Sequence, residues 1–89
     1  MKRTLPVGKF RIDLKRITKR GWNIEKLNAI IALLQSGAKL PDNAYPHKLS
    51  GEYESQWECH VRHDWLLIYN VTDKEVILVR TGTHADLFE

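Results

Sequence analysis

The sequence predicts an α+β domain in which two N-terminal helices, joined as an αα-hairpin, pack on a small, mainly antiparallel twisted sheet of three to four strands. Three observations carry this expectation. Apolar residues recur at helical spacing as far as Leu34, and after Pro46 the period changes to the two-residue alternation of strands. Glycines stand where the helical stretches stop, at Gly21 and Gly37. The links between the later apolar runs, Arg62-His63 and Val71-Thr72-Asp73-Lys74, suit hairpins and are too short for parallel crossovers.

Each element follows from local chemistry. Between Gly8 and Arg20, Phe10, Leu14 and Ile17 form an apolar stripe with basic residues around it, which predicts the first helix. Asn23 is a good cap for the second, whose Ile24, Leu27, Ile30, Ile31 and Leu34 line one face. Residues 38–46 contain two prolines, Asp42 and Asn43, and predict a loop. Residues 55–61 alternate, with Trp57, Cys59 and Val61 on one face and Glu58 and His60 on the other. Residues 64–70 and 75–81 are nearly continuous apolar runs, as in central strands. A short strand over Arg3 to Leu5 would be the fourth. The register of the first hairpin stays open: a strict turn at Arg62-His63 sends Asp64 away from His60, and a bulged one brings it round.

A chain of 89 residues, 43% hydrophobic and 28% charged, predicts one domain spanning 1–89. Its net charge of +3 allows a polyanionic partner, and eight of the fourteen Lys and Arg fall in the first twenty residues. A single cysteine, Cys59, argues against a disulfide framework and for a reducing compartment. The N-terminus has no apolar stretch of signal-peptide type, and the run Ala29 to Leu34 is too short to cross a bilayer. The cytoplasm is the expected location, with no membrane partner.

The chemistry points to the second half of the chain. His47, His60, His63 and His84 are interleaved with Glu58, Asp64, Trp65, Arg80 and Phe88. Metal-free RNA cleavage needs a base for the ribose 2′-OH, an acid for the 5′-oxygen, and positive charge for the phosphorane. His47, His60 and His84 suit the first two tasks and Arg80 the third. Asp64 or Glu58 can orient an imidazole, and Trp65 and Phe88 can stack on bases. Bland alternatives compete: Trp65 as core, Arg80 as the partner of a surface carboxylate, the basic run as a solvated helix face. His63 is expected to be a solvated turn residue outside the site. No metal or other cofactor is expected, because Cys59 and His60 point to opposite faces and no CxxC or HExxH accompanies them.

With these residues in view, the chain resembles the YafQ-type toxins of the RelE/ParE superfamily, from bacterial type II toxin–antitoxin systems. The likeness includes Phe10-Arg11-Ile12-Asp13-Leu14-Lys15-Arg16, His47-Lys48-Leu49-Ser50-Gly51, Glu58-Cys59-His60-Val61 and Asp64-Trp65-Leu66-Leu67-Ile68-Tyr69. Its most specific part is Arg80-Thr81-Gly82-Thr83-His84-Ala85-Asp86-Leu87-Phe88. The resemblance implies a RelE-like fold and a ribosome-dependent mRNA endonuclease, contacting mRNA and 16S ribosomal RNA and inhibited by a cognate antitoxin in a hetero-oligomer. It carries the catalytic positions onto His47, His60, Asp64 and His84, with Glu58, Trp65, Arg80 and Phe88 supporting them or contacting substrate. His84 is then expected to be the acid, and His47 or His60, steered by Asp64, the base. Trp57 stands where an Arg is common and His63 where a turn proline is usual, departures that bear on codon preference. Relatives that bind gyrase without cutting RNA lack this histidine set; a cleavage-dead antitoxin-binding module is the other alternative.

Overall fold

The computed structural model describes residues 1–88. Its elements run β1 (Arg3–Pro6), α1 (Gly8–Lys19), α2 (Ile24–Ser36), β2 (His47–Lys48), β3 (Trp57–Arg62), β4 (Trp65–Val71), β5 (Glu75–Gly82) and α3 (His84–Phe88), with 3₁₀ turns at Asp42–Ala44 and Gly51–Tyr53. Helices α1 and α2 form where the apolar spacing places them, while the short α3 follows from no such spacing. In α2 the Asn23 side chain accepts the Glu25 N–H at 3.1 Å, satisfying a donor at the helix start. Gly37 closes that helix in the left-handed conformation, φ 75°, which a side chain would strain. Arg16 and Lys19 in the last turn of α1 complement the negative end of its dipole.

The sheet has five strands in the order β1-β5-β4-β3-β2, one or two more than the alternation suggested. The additional strand is β2, which pairs His47 with Glu58 and Lys48 with Trp57. Two residues are too few to show a period. β1 lies parallel to β5, and every other pair is antiparallel. The tight turn of the first hairpin falls one residue later than read, at His63-Asp64. Arg62 is opposite Trp65, and a bulge between His60 and Arg62 sets His60 opposite Leu66.

Both faces of this sheet are covered. On one, α1 and α2 bury Phe10, Ile17, Leu27, Ile30 and Leu34 against Cys59, Trp65, Leu67, Val76 and Leu78. Each such Leu or Ile contributes ~1.5–3 kcal/mol by leaving water. On the other, Leu66 and Ile68 pack with Leu87 of α3, flanked by Leu49, Tyr53 and Val79. That smaller cluster anchors the C-terminal helix beside the histidines.

One expected substrate contact belongs to the core instead. Trp65 is 1% exposed, its Nε1–H donates to Thr81 Oγ1 at 2.8 Å, and the Thr81 hydroxyl donates to the Leu66 carbonyl at 2.8 Å. Its ring lies 4.9 Å from that of Trp22. A base has no free Trp65 face to stack on, because Trp65, Leu67 and Tyr69 of β4 pack toward the helices.

Candidate active site

Two histidine–carboxylate pairs stand on the face of the sheet turned away from α1 and α2. The first is built by the pairing of β2 with β3. His47 Nε2 lies 3.1 Å from Glu58 Oε1, and its Nδ1 lies 2.9 Å from the Tyr45 carbonyl oxygen. A carbonyl only accepts, so Nδ1 is the donor in its contact with Tyr45. Glu58 is 3% exposed, and its Oε2 has no hydrogen-bond partner among the described residues. Buried oxygens of this kind are uncommon and cost stability. Tyr45 adopts φ 47°, a strained region for a bulky residue, and its exposed ring lies 5.1 Å from His47 and 6.4 Å from His60.

The second pair joins the hairpin turn to α3. Asp64 Oδ1 accepts the His84 backbone N–H at 3.2 Å and lies 3.5 Å from the His84 Nδ1. The latter distance is too long for a strong hydrogen bond. The His84 ring is exposed and sits 5.8 Å from Phe88, which meets Tyr53 edge-on, also at 5.8 Å. The second pair lines a cleft of about 550 Å³, together with Asn43, His60, Arg62 and His63.

Arg80, on β5, is held from α1. β1 ends at Pro6 opposite Leu78, so the β5 backbone beyond it lacks a strand partner on that side. Asp13 of α1 takes the place, accepting the Thr81 N–H at 3.2 Å. The Arg80 guanidinium donates to both Asp13 oxygens, at 2.6 and 3.1 Å, and to the Tyr53 hydroxyl at 3.1 Å. The Asp13 hydrogen bond, opposed by burial and aided by Tyr53, raises the Arg80 pKa above its ordinary value, so it stays a cation. Burial first, then the charge of Glu58, pushes the Cys59 thiol up to about 12, which makes it a poor nucleophile.

The model of the YafQ family, described as a bacterial toxin of type II toxin–antitoxin systems, matches residues 2–89. The chain belongs to the YafQ family. It is 39% identical over 82 residues to the mRNA interferase toxin YafQ of Escherichia coli strain K12, covering 91% of this chain and 89% of that one. YafQ in the E. coli DinJ–YafQ toxin–antitoxin complex superposes with a TM-score of 0.89 at 36% identity, over 99% of this chain and 98% of that one. A copper-bound L66S mutant toxin from Helicobacter pylori superposes with a TM-score of 0.92 at 32% identity, over 99% of this chain and all of that one. The α+β architecture is therefore that of the YafQ toxins.

In this YafQ-family toxin the cleft brings together His60, Asp64 and His84, and His47 adjoins them with its ring 6.5 Å from that of His60. Glu58 underlies His47, and Phe88, 43% exposed, offers its ring beside His84. Asp64 meets His84 rather than His47 or His60, because the hairpin tip approaches the start of α3. Arg80 is paired with a buried carboxylate, and Trp65 is core. Among the described residues, no group of three or more His, Cys, Asp and Glu is arranged to hold a metal ion.

Several contributors, Asn43 and Arg62 of the cleft lining among them, are not signalled by the sequence. His63 is an exposed turn residue, as expected, but it also lines the cleft. Tyr45 and Tyr53 sit in irregular segments that show no period. Asp13 did leave a signal, since it stands between Phe10 and Ile17 on the apolar stripe of α1, where a carboxylate needs a buried partner.

Proposed function

We propose that this toxin is an mRNA interferase that cuts mRNA on the ribosome by metal-independent general acid–base chemistry and is held inactive by a cognate antitoxin. The observation that carries this reading is the cleft shared by His60, Asp64 and His84, beside the His47–Glu58 pair. Kinship with the E. coli mRNA interferase supports the substrate, and the DinJ–YafQ complex supports the antitoxin. No described helix is long and apolar enough to cross a membrane.

In the proposed reaction the ribose 2′-oxygen attacks the adjacent phosphorus and gives up its proton to a base. The bond from phosphorus to the 5′-oxygen breaks, and an acid protonates that oxygen. His84 is assigned as the acid, since Asp64 anchors its backbone at the lip of the cleft and its ring stays largely exposed. His47 has both nitrogens engaged, so the base role falls to His60, which lines the cleft. His47 and Glu58 form the wall behind it. Arg80 contributes positive charge near the phosphorane, and Phe88 a stacking surface. Lys9, Arg11, Lys15 and Lys19 are exposed along α1 and suit contact with ribosomal RNA. Arg16, by contrast, is tied to Asp13 at 3.3 Å.

The test is a translation extract supplied with the purified toxin, with mRNA 5′ ends mapped with and without ribosomes. New 5′ ends at ribosome-occupied codons, absent without ribosomes, are the expected result. Arrest with full-length mRNA, or a supercoiling defect in its place, would overturn the proposal in favour of gyrase binding.

A further inference from the structure

Helix α3, which carries both His84 and Phe88, has only five residues and cannot persist in water by its own hydrogen bonds. Leu87 secures its inner face against Leu66 and Ile68. Its start is capped reciprocally: the Thr83 N–H donates to Asp86 Oδ2 at 2.9 Å, and the Asp86 N–H donates to Thr83 Oγ1 at 3.0 Å. This box has an external clamp. Arg20, at the end of α1 and 66 residues away in sequence, donates to both Asp86 oxygens at 2.7 and 2.9 Å. Paired parallel bonds of this kind fix orientation as well as distance.

Three further features fit the clamp. The Arg20 guanidinium lies over the Trp22 ring, 5.4 Å from its centroid, and Trp22 packs on Trp65, so the cation rests on a fixed support. Gly82 adopts φ 149°, and a Cβ there would stand 2.8 Å from Asp86 Oδ2; glycine is what lets Asp86 close on Thr83 and Arg20 together. Arg16 lies 3.9 Å from Asp86 and 3.3 Å from Asp13, and Asp13 holds Arg80. Alternating charges thus run Arg20, Asp86, Arg16, Asp13, Arg80, from the helix of the proposed acid to the proposed phosphorane cation. The Arg20 bonds hold the Asp86 carboxyl well below the usual carboxylate range, so it is charged throughout the physiological span.

We infer that Arg20 is a positioning residue for the reaction: through Asp86 it sets the angle at which α3 presents the His84 imidazole and the Phe88 ring to the scissile phosphate. The inference rests on the cleavage function proposed above. Neither Arg20 nor Asp86 lines the cleft, so both act through the helix.

The test compares Arg20→Gln and Arg20→Lys with the unaltered full chain. It records the single-turnover cleavage rate, KM for programmed ribosomes, the melting temperature, and the His84 ring-proton NMR resonance, which the neighbouring Phe88 ring shifts. Arg20→Gln should slow the single-turnover step by about tenfold or more, the effect of a small misplacement of a catalytic group. KM should hold, and the His84 resonance should move toward that of a free histidine. Arg20→Lys, which keeps the charge but loses the two-pronged geometry, should recover part of both. An unmoved His84 resonance would overturn the inference, as would a normal rate in the Gln variant. A rate loss that only tracks lost folded protein, with no recovery in the Lys variant, would make Arg20 merely structural and also overturn it. If the unaltered chain cleaves nothing, the proposed function fails on its own, and the His84 resonance alone decides whether the clamp exists.

Discussion

His84→Ala lowers the single-turnover cleavage rate roughly 10²–10⁴-fold, the usual contribution of a general acid or base, while the melting temperature barely moves. The two halves of this expectation have separate causes. The side chain is 60% exposed, so little apolar surface is lost on truncation. The contact that ties the start of α3 to the hairpin is the backbone N–H bond to Asp64, and alanine keeps it. Alanine is also a better helix former than histidine. What disappears is the imidazole at the lip of the cleft. Melting curves together with single-turnover rates check both halves. A variant that unfolds while its folded fraction cleaves at the normal rate would make His84 structural and move the acid role to His47.

Asp13→Asn has the largest expected effect on stability, a loss of roughly 3–5 kcal/mol, as when one partner of a buried ion pair is removed. Asp13 is 1% exposed and serves Arg80, Arg16 and the Thr81 N–H at once. The amide leaves one acceptor where the carboxylate had two and turns an N–H₂ group toward guanidinium donors. The Arg80 side chain, 14% exposed, then lacks its counter-charge. Urea unfolding measures the difference. A change below about 1 kcal/mol, the range of exposed pairs, would mean that water replaces Asp13 without cost. Since Arg80 leans on Asp13 and Tyr53 for its position, the surviving folded protein should also cleave more slowly.

The parts of the fold that could be read from the chain are those with a repeating local cause. Phe10, Ile17, Leu27, Ile30 and Leu34 are buried at the spacing a helix demands, and the apolar runs at 64–70 and 75–81 became central strands. The parts that could not be read are set by tertiary contact. β2 is two residues long, and β1 pairs in parallel with a strand some seventy residues on. The hairpin register turned on the bulge between His60 and Arg62, which no periodicity in the sequence signals.

The same division holds in the site. Residue types and spacing were enough to nominate His60, Asp64 and His84, which share the cleft. The carboxylate that each imidazole meets was not legible, because Asp64 and His84 are brought together by the docking of α3. Trp65 took the plainer of the two readings open to it, as core, while the carboxylate that Arg80 meets, Asp13, is buried rather than at the surface.

The most direct measurement of the proposed chemistry is the identity of the ends left on ribosome-bound mRNA cut by the unaltered chain, compared with an mRNA carrying a single 2′-deoxyribose at the cleaved position. Attack by the 2′-oxygen leaves a 2′,3′-cyclic phosphate on the upstream fragment and a 5′-hydroxyl on the downstream one, and the 2′-deoxy substrate stays intact. Upstream fragments ending in a 3′-hydroxyl beside downstream 5′-phosphates, or cleavage of the 2′-deoxy substrate at the normal rate, would contradict acid–base transfer through His60 and His84.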